Sequence, residues 1–135
     1  MSNHTILIVE DEAIIAAAER QLLTQSGYGV MIAASGEAAI AAVRLRGEEI
    51  DLILMDIILG RGMDGAAAAR EILREREIPI VFVSSLAEED IASRTRGIAC
   101  AGHVAKNGGD EALLASVEAA ITHRSEHPGI PALPA

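Results

Sequence analysis

Thr5-Ile-Leu-Ile-Val-Glu-Asp-Glu12 is the stretch on which the reading of this chain turns: five residues of a buried strand run straight into three acids. A second apolar run, Leu52-Ile-Leu-Met55, ends in the same way at Asp56. If the two strands are parallel neighbours, their carboxyl ends bring Glu10, Asp11 and Asp56 into one small pocket. Carboxylates crowded together repel one another, so such a pocket calls for a hard divalent cation with oxygen ligands, and Mg²⁺ is the expected one. An aspartate at an exposed strand end, neutralised by a cation, is chemically suited to accept a phosphoryl group.

Working outward, short apolar runs at 5–9, 29–33, 51–55, 79–83 and 102–106 are bounded by Gly, Pro or acidic residues, as buried strands are. Between them lie segments with apolar spacing of three and four. Ile14, Ala18 and Leu22 form one stripe, and Ala39, Ile40 and Val43 a second. Ala69, Ile72 and Leu73 form a third, and Leu113, Val117 and Ile121 the last. The segment 88–97 is the weakest helix, with a sparse apolar face but a favourable acidic start, Glu88-Glu-Asp90. Gly27 reads as a helix stop and Asp110 as an N-cap. The pattern predicts an α/β fold of five successive βα units, a doubly wound parallel sheet with helices on both faces. Ligands of such sheets bind at the carboxyl ends of the strands, where the acids fall.

The 135 residues suit one domain, and half are hydrophobic. Tyr28 and Phe82 are the only aromatics, so the core is aliphatic. A net charge of -9 without a basic cluster argues against direct nucleic-acid binding. The polar start, Met1-Ser-Asn-His4, does not read as a signal peptide, and no apolar run has the length of a membrane span. Lone Cys100 excludes an intrachain disulfide and a cysteine-based zinc site and reads as a small buried residue. A cytoplasmic location is the resulting expectation. From His123 the composition changes. One domain is expected to span 1–124, and the proline-rich tail 125–135, with three of the four prolines, to be extended or disordered.

Single residues at strand ends are weak evidence: Asp11 or Glu12 could serve only as a helix cap, and Ser84-Ser85 after the fourth strand only as a turn. Lys106, at the end of the fifth strand, could be a solvated charge. It could also pair with Asp56 and later with a phosphate. Acid, acid, hydroxyl and lysine on four strand ends form a set that chance rarely assembles.

Together Ile6-Leu-Ile-Val-Glu-Asp-Glu12, Leu54-Met-Asp-Ile57, Val83-Ser-Ser85 and Val104-Ala-Lys106 resemble, in order and spacing, the receiver domains of two-component response regulators, over about residues 4–124. The likeness is to a stand-alone, chemotaxis-regulator-like receiver. It implies a flavodoxin-like sheet of order 2-1-3-4-5. It also implies Asp56 as phosphoacceptor from a histidine kinase or phosphotransfer protein, and Mg²⁺ held by Glu10 (through water), Asp11, Asp56 and the Ile58 backbone carbonyl. Ser84 would be the switch hydroxyl and Lys106 the phosphate contact. His103 stands where the family often carries a switching aromatic; it either moves inward with Ser84 or is a plain surface residue. Asn107 replaces a usual proline in a cis peptide, a bond costing roughly 2.5–4 kcal/mol before any other residue, so the following loop is expected to differ. The loop Leu59-Gly-Arg-Gly-Met-Asp-Gly65 looks one residue longer than usual, and its three glycines suggest flexibility.

The output face implied is the fourth helix, fifth strand and fifth helix, including Arg94, Arg96 and His103, for an unknown downstream protein or a homodimer. The family is not enzymatic. A haloacid-dehalogenase phosphatase would need a second aspartate where Ile58 stands. A flavin-binding module would need a phosphate-cradling first loop and aromatics. A degenerate receiver, acting as a phosphorylation-independent binding module, remains the alternative.

Overall fold

The computed structural model describes residues 4–126 apart from Arg61, and the backbone alone of Ser125 and Glu126. Five strands, β1 (Thr5–Val9), β2 (Gly29–Ala33), β3 (Leu52–Asp56), β4 (Ile80–Ser84) and β5 (Gly102–Ala105), pair in parallel in the order β2-β1-β3-β4-β5. Five helices alternate with them: α1 (Ala13–Gln25), α2 (Gly36–Arg46), α3 (Gly65–Glu75), α4 (Glu88–Arg94) and α5 (Asp110–Glu126). This is the α/β, flavodoxin-like sheet that the strand pattern and the resemblance imply. Strands three and four run one residue later than the apolar runs, because the terminal Asp56 and Ser84 keep ladder pairing.

Alternation along each strand divides the core in two. Leu7, Val9, Ile53, Met55, Ile80 and Phe82 pack with residues of α2, α3 and α4, such as Ala39, Ile72 and Ile91. Ile6, Ile8, Leu52, Leu54, Val81 and Val83 pack with Leu23 of α1 and Leu113 and Val117 of α5. A strand buried on both faces must be apolar throughout, which is why β1 and β3 read as continuous runs.

Three helical stripes fall as expected, and of the first only Leu22 packs, half-buried, against the core. In α1 the buried residues are Ala16 and Leu23, while Ile14 is 87% exposed and Ala18 is also exposed. Alanine fills α1 on several faces, so spacing alone could not set its rotation; Leu23, fully buried, sets it. Gly27 does end the first helical unit, with φ of +97°. Asp110 is the first residue of α5 rather than its cap, and α5 runs two residues into the segment expected to be a tail. Residues 127–135 lie outside those described. Among the described residues no helix is long and apolar enough to cross a membrane.

The loop after β3 is tied rather than merely loose. Asp64 caps α3 by accepting from the Ala67 N–H at 2.8 Å, and Gly65 N–H donates to the Ile57 carbonyl at 2.8 Å. A Cβ on Gly65 would overlap the Asp56 carbonyl oxygen and lie 2.9 Å from Ile57 Cα. The glycine is therefore dictated by close approach of α3 to the backbone of Asp56. Gly65→Ala should destabilise the fold by about 3 kcal/mol, read as a lower urea midpoint at unchanged slope.

Candidate functional site

Glu10 and Lys106 stand one step beyond a strand, Asp56 and Ser84 on the last residue of one, and Asp11 and Ile58 two steps beyond, and the ladder extends past the strand ends. Glu10 N–H donates to the Ala33 carbonyl (3.1 Å), Ile57 N–H to Val83 (3.2 Å) and Lys106 N–H to Ser84 (2.9 Å). With Val9 opposite Met55 and Asp56 opposite Val83, the carboxyl ends of β1, β3, β4 and β5 converge. Carboxylate oxygens of Glu10, Asp11 and Asp56 lie within 4.8 Å of one another.

Lys106 binds this cluster together. Its Nζ lies 2.9 Å from Asp56 Oδ2 and 3.1 Å from Glu10 Oε1. The other Asp56 oxygen, Oδ1, accepts from the Ile58 N–H at 3.1 Å. Asp56 and Glu10 are only 3% and 2% exposed, whereas Asp11 is exposed and accepts from the Gly60 N–H at 2.9 Å. One acid thus opens the cluster to solvent. Burial lowers the proton affinity of Lys106, but hydrogen bonds and charge from Asp56 and Glu10 outweigh it and hold the ammonium above the usual lysine range. Burial, followed by the neighbouring Asp56, pushes the Glu10 carboxyl up to about 7, with Lys106 opposing.

Ser84 is 1% exposed, and its Oγ accepts from the Leu86 N–H at 3.0 Å, as a turn-forming serine does. It lies on the sheet face that carries Phe82. Half-buried His103 pairs in register with Phe82 and lines a cleft with Ile91, Thr95 and Cys100. Buried Cys100 fits its expected reading. Among the described residues no peptide bond is cis, and Lys106 reaches both acids with Asn107 following it. The chain turns after β5 through a Gly108 N–H to Ala105 carbonyl bond of 2.9 Å. Ile58 contributes its N–H to Asp56 and leaves its side chain 42% exposed.

Sequence reading passed over Glu19. It falls between Ala16 and Leu23 at helical spacing, on the inner face of α1, and burial pushes its carboxyl up to about 7, the Lys106 charge opposing and the Asp56 charge adding. An acid at that spacing on an inner face was the available signal.

Three carboxylates, all hard oxygen donors and one open to water, fit a small divalent cation. In its absence, Glu10 ionises harder folded than unfolded. The native state therefore holds the extra proton between about pH 4.5 and 7, and this group's contribution to stability falls as pH rises through that window. Glu10→Gln does not titrate, so its stability relative to the parent should rise by ~1–2 kcal/mol between pH 5 and pH 8 in chelator, measured by urea unfolding.

Comparisons with known proteins agree with this geometry. The sequence model of the response regulator receiver domain matches residues 6–118. The transcriptional regulatory protein PdtaR of Mycobacterium tuberculosis is 30% identical over 122 residues, which are 90% of this chain and 58% of PdtaR. The transcriptional regulatory protein YvrH of Bacillus subtilis is 37% identical over 86 residues, 63% of this chain and 35% of YvrH. The chain therefore spans less than two thirds of these relatives' length. The N-terminal domain of a response regulator/sensory box/GGDEF protein from Carboxydothermus hydrogenoformans superposes with TM-score 0.83 at 38% identity, covering 90% of this chain and 97% of that one. A CheY-like receiver from Methanospirillum hungatei, 24% identical, shares the fold with TM-score 0.83 over 93% of this chain and 98% of its own. With the fold, the acidic cluster and the matched motifs in agreement, the chain belongs to the response regulator receiver domain family, a signalling domain of two-component systems.

Proposed function

We propose that this chain is a working phosphoacceptor: Asp56 takes a phosphoryl group from a phosphohistidine on a histidine kinase or phosphotransfer protein, with Mg²⁺ in the acidic pocket. The observation that carries this reading is the Lys106 ammonium shared by Asp56 and Glu10 beside the open Asp11. Glu10, Asp11 and Asp56, with the Ile58 carbonyl, would hold the cation. When bound, it would offset the negative charge of the transferring group.

In the transfer, an Asp56 carboxylate oxygen attacks phosphorus, the O–P bond forms, the N–P bond to imidazole breaks, and the histidine leaves with its electron pair. Lys106 is already within bonding distance of Asp56 Oδ2 and can pass to a phosphate oxygen with little movement. Ser84 supports the switch reading because it ends the strand paired with the Asp56 strand and, among the described residues, its hydroxyl has a single local turn bond. Its inward turn would vacate space toward half-buried His103 on the same sheet face. That movement would alter the surface of α4 and β5 for a downstream protein.

The donor must reach a nearly buried Asp56 through the mouth that Asp11 leaves open. Beside that mouth α1 offers exposed Ala13, Ile14, Ala17 and Ala18. This apolar patch suits the helices that carry the donor histidine.

Intact mass after incubation with acetyl phosphate and Mg²⁺ tests the reading. One added phosphoryl group is expected in the parent, with none in Asp56→Asn and none when chelator replaces Mg²⁺. No gain in a folded parent would leave a phosphorylation-independent binding module.

A further inference from the structure

The cations of this acidic chain are scattered in sequence, and the fold gathers several of them at the end of the sheet opposite the acidic cluster. There a cleft of about 450 Å³ lies between α3, the segments leading into β4 and β5, and the last turns of α5. That volume is in the range of small-molecule sites. Leu73, Ile78, Ile98 and Ala120 supply an apolar lining, and Arg70, Arg74 and Arg124 stand around it with Glu77 as the one acid.

How the arginines are held is informative. Arg74 pairs with Glu71 at 2.7 Å. Arg70 instead donates to the carbonyls of Arg94 (3.1 Å) and Arg96 (3.3 Å), and Arg124 to those of Ile50 (3.4 Å) and Asp51 (2.8 Å). Carbonyls orient a guanidinium and leave its charge uncompensated. Among the described residues, neither Arg70 nor Arg124 has a carboxylate oxygen within the 4.0 Å of an ion pair. Each guanidinium has five N–H donors, so each retains donors beyond those bonds.

We propose that this cleft binds a small organic anion with an apolar body, its charged group on Arg70 and Arg124 and its body against Leu73, Ile78, Ile98 and Ala120. Net charge elsewhere is strongly negative, so this is where an anion gains most. Arg70, on α3, also fastens the last carbonyl of α4 and that of Arg96 just beyond it, and the ligand would therefore be felt at the end of α4.

The probe is anilinonaphthalene sulfonate, an aromatic sulfonate that fluoresces in apolar surroundings, added to the full chain. Saturable one-to-one binding is expected, with amide shifts at Leu73, Ile98 and Ala120 and at the end of α4. Loss of a charged hydrogen-bond partner should weaken it about ten-fold in Arg70→Gln and in Arg124→Gln. Arg20→Gln, on the far alanine-rich face of α1, should leave it unchanged. Absence of saturable binding, or equal affinity in all variants, would overturn the proposal. So would contacts between Ile130 or Leu133 and Ala120 in the free chain, which would assign the cleft to the chain's own segment.

Discussion

Electrostatic crowding at the ends of β1 and β3 is the constraint from which the rest follows. Two like unit charges ~4 Å apart at an effective dielectric of about 20 repel by about 4 kcal/mol. That is comparable with the whole net stability of a domain, roughly 5–15 kcal/mol. Three carboxylates within 4.8 Å therefore persist only with offsets. The fold supplies three: the shared Lys106 ammonium, a Glu10 carboxyl whose proton is retained up to about pH 7, and a solvent-facing Asp11. The first two fasten the cluster, and the third keeps one hard oxygen donor open to solvent.

The scaffold makes such crowding possible because its precision lies in the backbone. Parallel ladders extended by single bonds place Glu10, Ile57 and Lys106 relative to Ala33, Val83 and Ser84. Below, two apolar layers divide the strand residues by parity and hold the sheet rigid. Gly65 lets α3 approach the backbone of Asp56 closely enough for its N–H to reach the Ile57 carbonyl. Local structure, packing and site chemistry thus meet within a few residues of one strand end.

Much of this was legible beforehand, for physical reasons. Buried parallel strands are apolar throughout and end abruptly, so β1, β3 and the acids at their ends stood out in the sequence. Glu10, Asp11, Asp56 and Lys106 are brought together by the structure as the strand-end pattern anticipated. The rotation of α1 was not legible, because alanine is tolerated on either face and only Leu23 and Glu19 mark the inner one. Nor was the cationic cleft, whose Arg70 and Arg124 come from helices far apart in the chain. Glycines 60–65 read as flexibility, yet at Gly65 the reason is space. Residue pattern reports burial and punctuation well; it reports helix phase poorly where the residues are small, and long-range charge clustering hardly at all.

Titration of the metal-free protein with Mg²⁺, followed by amide NMR, tests most directly whether the acidic cluster is a cation site. Saturable one-to-one shifts centred on Asp11, Asp56, Ile58 and Gly60, absent in Asp11→Ala, are the expected result. Saturation without shifts at those amides, or an unchanged titration in Asp11→Ala, would contradict it.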